Sequence, residues 1–155
     1  MSCILGIDPG KSGAVCVLDN SDNEVSLHFW PLGDFDFWHF HEMIKDYRPK
    51  HIFIEKAQSM PKQGIASTFS YGMNFGKIIG WIEATEIPFT MITPREWTKE
   101  LHRGIVGVDP KAKSAEAVQR LFPVLDMNKI AKTKPIRSGM IDALLIAEYG
   151  RRIFK

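Results

Sequence analysis

The sequence lacks most of the features that would place it outside the ordinary globular class. Its 155 residues include two cysteines, Cys3 and Cys16, each inside an apolar run. A pair so placed reads as buried thiols of a reducing compartment, which excludes a disulfide framework, and no cysteine or histidine spacing fits zinc. No basic stretch followed by a long apolar run opens the chain, so no signal peptide is expected. The longest apolar helical pattern is interrupted by Asn74 and Lys77, which argues against a membrane-spanning helix. Internal repeats and low-complexity tracts are absent, and the length suits a single domain over residues 1–155. What is present is ordinary: 45 % hydrophobic and 25 % charged residues, enough to bury a core without staples.

Net charge is scarce, at +2, but unevenly placed. Met1 to Lys50 carries four Lys/Arg against eight Asp/Glu, whereas Arg95 to Arg137 carries ten against five. A basic half beside an acidic one suits a polyanion partner together with a site that holds cations, although a solvated surface shows such clustering too.

The hydrophobic pattern predicts the elements. Cys3–Asp8 is an apolar run stopped by Asp-Pro-Gly, hence a buried strand ending in a turn. Gly13–Leu18 reads as a second strand and the alternating Glu24–Trp30 as a third. Asp36–Tyr47 has helical spacing and is closed by Arg48-Pro49. His51–Glu55 is a fourth strand, followed by a loop over Lys56–Gln63. Ile65–Ala84 is a long helix, Phe89–Ile92 a fifth strand, Pro94–Leu101 a short helix and Lys111–Phe122 another. Val124–Ile136 reads as irregular and Gly139–Ile153 as the last helix. Crossovers between the first, fourth and fifth strands make those strands parallel. The expected fold is α/β, a five-stranded mixed sheet (a three-stranded antiparallel meander plus two parallel strands) flanked by helices.

Three carboxylates stand out by position. Asp8 ends the first strand and Glu55 the fourth, and sites in such sheets lie at the carboxyl ends of parallel strands. Asp142 lies in an otherwise apolar segment at the start of the last helix, where a buried charge needs a partner or a metal. Asp8 and Asp142 have plainer roles available, as turn-former and helix-dipole partner, whereas Glu55 at a strand end has no turn role. Together they suit one or two hard divalent cations, Mg²⁺ with Mn²⁺ able to substitute, of the kind that activate water against a phosphodiester.

The segments ILGIDPGKSGA, IFIEKAQ, PREWTKE, KAKSAEAVQRLFP and GMIDALLIAEYG, in that order, resemble the corresponding blocks of the RuvC-like Holliday junction resolvases of the ribonuclease H-like superfamily. The resemblance implies a ribonuclease H-like fold, a homodimer, and paired metal-dependent nicks on opposed strands of a four-way DNA junction. It implies a setting in the cytoplasm of a bacterium or phage-infected cell, or in an organelle or nucleoid. Asp8, Glu55 and Asp142 match the family's catalytic acids and metal ligands. A further acid or histidine usually precedes the last acid by three or four residues. Here those positions are Gly139 and Ser138, so Ser138 is left to contribute through a water or to cap the helix. Lys113 matches a lysine near the scissile phosphate, where it can stabilise developing charge, and Lys99 matches a second. Met60, in the loop after Glu55, is the candidate wedge for the junction centre. The expected DNA-binding set is Lys11, Lys56, Met60, Lys62, Arg95, Lys99, Lys111, Lys113, Lys132, Lys134 and Arg137.

Gly72, Gly76 and Gly80 form one stripe on the long helix, which suggests close backbone packing, either within the monomer or across the dimer. Phe69, Tyr71, Phe75 and Trp81 are assigned to the core or the interface. His39 and His41 lie on different helix faces and do not form a metal pair. Three alternatives stand beside the resolvase. One is a nuclease of the same fold acting on flaps, other branches or RNA–DNA hybrids. Another is a junction-binding protein whose catalysis is impaired by Ser138. The third, an actin-like ATPase suggested by GIDPGKSGA, would need a second such domain, for which the chain is too short.

Overall fold

The computed structural model describes residues 3–20, 25–56, 58 and 62–154, with residue 34 in its backbone only. Five strands, β1 (Ile4–Asp8), β2 (Ala14–Asp19), β3 (Ser26–Pro31), β4 (His51–Glu55) and β5 (Phe89–Ile92), form one sheet in the order β3-β2-β1-β4-β5. β1–β2 and β2–β3 are antiparallel, while β1–β4 and β4–β5 are parallel. The mixed sheet expected from the hydrophobic pattern is therefore the observed one, with the apolar strands β1 and β4 at its centre, where both faces are covered.

Alternation along these strands divides the core. Leu5, Ile7, Val15, Val17, Ile52 and Ile54 face α1 (Phe37–Tyr47) and the second half of α2 (Ile65–Ala84), where Phe40, Met43, Ile78 and Ile82 meet them. Ile4, Ala14, Cys16, Leu18 and Phe53 face the other way, against α6 (Lys134–Ile153), which is backed by α3 (Pro94–Leu101) and α4 (Pro110–Leu121). Both cysteines are buried, and burial pushes the Cys3 thiol up to about 12. No described helix is long and apolar enough to cross a membrane.

Two expectations need correction. The last helix starts at Lys134, five residues before Gly139, because Thr133 supplies an extended N-cap and Pro135 is preset for the first turn. Ser138 is thus inside the helix and is not its cap, and Asp142 lies in its third turn, away from the positive helix end. The stretch read as irregular also contains a short helix, α5 (Met127–Ile130), started by Asp126, whose side chain accepts from Asn128 N–H, and anchored by buried Met127.

Candidate active site

The strand pleat and one helix crossing bring the three carboxylates together. Gly6 pairs with Phe53 and Ile7 with Ile54 across β1 and β4, so the next step sets Asp8 beside Glu55. Both share the parity of the residues that face α6, so both project to that side. α6 can lie close over β1 because Gly6 has no side chain. A Cβ there would stand 2.2 Å from the Ala143 carbonyl oxygen and 2.4 Å from Ala147 N. Asp142, one residue before Ala143, is thereby carried to the carboxyl end of β1. All three acids line one open cavity of about 850 Å³, together with Lys11, Lys56, Tyr71 and Lys111.

Each acid is held differently. Asp8 Oδ1 accepts from Gly10 N–H at 2.9 Å, which fixes the turn after β1. Burial raises its carboxyl to about 6, with Asp142 adding to the rise while the Gly10 N–H and Lys111 oppose it. Glu55 Oε2 accepts from Trp97 Nε1–H at 2.8 Å. Burial pushes this carboxyl up to about 7, with Asp8 and Asp142 adding to the rise and the indole N–H and Lys111 pulling it down. Asp142 is buried; one oxygen is bonded to Lys111 Nζ, and the other, Oδ1, has no hydrogen-bond partner. Burial works against the Lys111 charge, but Asp142, Asp8 and Glu55 outweigh it and hold the ammonium above the usual lysine value.

The donor set fits divalent cations on chemical grounds. It is all hard oxygen, its acids repel one another, and it includes an unpartnered buried carboxylate oxygen, which is costly unless a cation or donor meets it. Among the described residues the acids do not stand as a closed three-ligand cage. Asp142 is turned to Lys111 and Glu55 to Trp97, so the ammonium now provides the cationic partner nearest the acids.

The remaining expected residues are distributed unevenly. Lys11, Lys56 and Lys111 line the cavity. Lys113 does not; its charge acts on His102, whose ring bonds Ser114 on the side of α4 that faces α3. Ser138 is half-buried and outside the cavity lining, and Gly139 cannot be replaced by any side chain in place, since a Cβ would stand 1.8 Å from Ser12 O. Lys62, Arg95, Lys99, Lys132 and Lys134 are exposed. Arg137 is half-buried and donates to the Ala131 carbonyl, a tie within its own segment. Met60 lies outside the described residues. His39 bonds Asp36 and His41 stacks on Phe37, so neither approaches the acids as a pair. Two site residues escaped the sequence reading. Tyr71, assigned to core or interface, lies at the acids, whose charges add to the effect of burial in raising its phenol. Trp97, given no role from the sequence, is the donor to Glu55.

The fold has close counterparts among solved structures. T. thermophilus RuvC in complex with a Holliday junction substrate superposes with a TM-score of 0.67 at 13 % identity, over 99 % of this chain and 97 % of that one. The fold is that of the RuvC-type resolvases. The yeast mitochondrial Holliday junction resolvase Ydc2 gives 0.65 at 16 % identity, over 97 % of this chain and 78 % of that one. Fowlpox virus resolvase, solved with Holliday junction DNA, gives 0.55 at 16 %, over 99 % of both chains. Neither a scan of protein-family models nor a search of curated proteins gives a match. In this resolvase fold the cavity occupies the carboxyl edge of β1 and β4, beside the point where strand order reverses direction.

Proposed function

We propose that the chain is a divalent-metal-dependent endodeoxyribonuclease that resolves four-way DNA junctions as a homodimer. The observation that carries this reading is the convergence of Asp8, Glu55 and Asp142 on one cavity with Lys111 among them and Asp142 Oδ1 left without a donor. Asp8, Glu55 and Asp142 would hold Mg²⁺ or Mn²⁺, which when bound supplies an activated water and charge neutralisation at the phosphate. Glu55 is aimed by the Trp97 indole N–H, and Asp8 by the Gly10 amide. Lys111 reaches into the cavity from the start of α4, where its ammonium can meet the growing negative charge of the transition state. The role given to Lys113 from its sequence match passes to Lys111, which shares the cavity with the acids. Lys11 and Lys56 flank the acids and would seat neighbouring phosphates.

Two-fold pairing through α2 is supported by the outward face of that helix. Gly72, Gly76 and Gly80 have open space where a Cβ would stand, so among the described residues the stripe packs against nothing in the monomer. Ile65, Phe69 and Met73 beside it are exposed. An apolar stripe of this kind on a soluble chain suits a second copy, and a two-fold axis places two cavities against opposed strands.

A second reading, a junction-binding protein with impaired catalysis, is favoured by one observation: neither Ser138 nor Gly139 brings a fourth oxygen ligand to the cavity. The deciding experiment is nicking of a labelled four-way junction with Mg²⁺ and with Mn²⁺, beside linear duplex and a flap. Paired symmetric nicks on the junction, abolished by Asp8→Asn with binding retained, are the expected result. Tight binding without cutting under either metal supports the second reading, and nicking by Asp8→Asn overturns the metal-site assignment.

A further inference from the structure

A second, smaller cavity of about 220 Å³ adjoins the first and shares Gly10, Lys11 and Asn74 with it. Lys77, Phe35 and Trp81 complete its working surface, and no carboxylate is among its described lining residues. Among the described residues neither Lys11 nor Lys77 is in an ion pair. Lys77 Nζ stands 5.0 Å from the centre of the Trp81 ring, a cation–π contact that keeps the charge beside a ring. The rings continue outward. Phe37 lies 6.4 Å from Trp81 and 5.6 Å from Trp38, and stacks on His41 at 5.9 Å. Trp38 is 70 % exposed, although the hydrophobic effect should have buried an indole with no polar task. The result is a strip that begins at the catalytic cavity with two cations and ends in exposed rings on α1.

Alternating cations and ring faces are the chemistry of single-stranded nucleic acid recognition, since phosphates need charge and every unpaired base has a face to stack. We propose that this strip receives unpaired nucleotides continuous with the strand in the catalytic cavity. Lys11 and Lys77 take phosphates, and Phe37 and Trp38 stack bases. The assignment rests on the nuclease reading for what fills the first cavity, while the strip itself is tested by binding alone. Trp81 and Asn74 lie away from the α2 apolar face, while Lys77 borders it, one turn from Met73 and from Gly80.

The test uses the full chain in EDTA, so that nothing is cut, with a labelled oligothymidine and a fully paired four-way junction as probes. Trp38→Ala is expected to weaken oligothymidine binding about tenfold, with Trp38→Phe retaining most of the affinity. Lys77→Ala is expected to lower the slope of log K against log salt by about 0.7, the value for one phosphate on a single strand. Unchanged oligothymidine affinity in both alanine variants overturns the strip. If the wild type still nicks the junction, that failure leaves the nuclease reading standing; a wild type that neither binds nor nicks DNA ends both. Sedimentation is the remaining arm. Loss of a dimer on Trp38→Ala, with DNA affinity unchanged, would make the rings a contact between copies and overturn the proposal.

Discussion

Lys111 and Lys113 sit two positions apart on α4, and a helix turns about 200° over two residues, so they leave the helix in different directions. The phase is set by the cap. Asp109 accepts from Lys111 and Ala112 N–H, and Ser114, Ala117 and Val118 are buried against the body of the protein. That orientation sends Lys111 to Asp142 and Lys113 toward His102. The motif KAKSAE contains both lysines, and a match by residue type alone has no means of reading helix phase, which explains why Lys113 was preferred. Glu55 was legible because a carboxylate directly after an apolar strand has no turn to make. Trp97 was not, because its N–H partner is 42 residues away. Lys111→Met is expected to slow single-turnover cutting of a four-way junction by 10²–10³-fold, roughly the loss for one transition-state donor. Lys113→Met should stay within about threefold. The reverse ranking would return the role to Lys113.

At the scale of elements, the mixed sheet and the parallel relation of β1, β4 and β5 follow from strand-sized apolar runs separated by helical patterns and were readable in the sequence, whereas the placing of β4 beside β1 was not. Nor was the start of α6. Lys132, Lys134 and Arg137 give that stretch a loop-like composition, and helix there depends on Pro135 at the first turn and on the buried helix that follows it. The decisive local feature is Gly6, whose missing side chain lets α6 approach and so places Asp142. Gly6→Ala drives a methyl into Ala143 and Ala147 backbone, and relief requires the helix to lift. The expected cost is about 2–3 kcal/mol, read as a lower melting temperature together with weaker metal-induced stabilisation, since Asp142 moves with the helix. Gly72→Ala meets open space in the monomer. It should gain helix stability of up to about 1 kcal/mol in dilute solution while weakening association, measured as the concentration dependence of sedimentation. A wild-type melting temperature with wild-type metal response in Gly6→Ala would show that the close crossing does not set the acid geometry.

Across the whole molecule, carboxylates of opposite consequence are gathered near the two ends of α6. Glu148 is buried, which alone would raise its pKa, but bonds to Arg151 and Arg152 outweigh burial and hold the carboxyl below its usual value. Arg152 also reaches Glu100 on α3, so this cluster ties the helix to its neighbour. A depressed folded pKa contributes stability that is present above the unfolded value and is lost as pH falls through the folded one. The end beside the acid cavity has the opposite sign. Asp8 and Glu55 are raised from 3.8 and 4.5 to about 6 and about 7. The folded chain therefore binds more protons than the unfolded chain between those limits. Stability from these two acids is fully present below pH 4 and is lost as pH rises through 6 and 7. Without divalent metal, then, these two acids cost the fold stability above about pH 7, the trade expected if they are gathered to hold a cation. Glu55→Gln removes that charge while its amide oxygen can still accept from Trp97. In EDTA at pH 8 it is expected to stabilise the chain by about 1–2 kcal/mol, a rise of roughly 2–8 °C in melting temperature, with little difference at pH 4. Added Mg²⁺ should raise the melting temperature of the wild type at pH 8 and leave that of Glu55→Gln nearly unchanged, because ligand binding to the folded state alone is what stabilises. Equal melting temperatures for the two proteins at pH 8 in EDTA would mean that Glu55 carries no such cost, and an equal response to Mg²⁺ would mean that it is not a ligand.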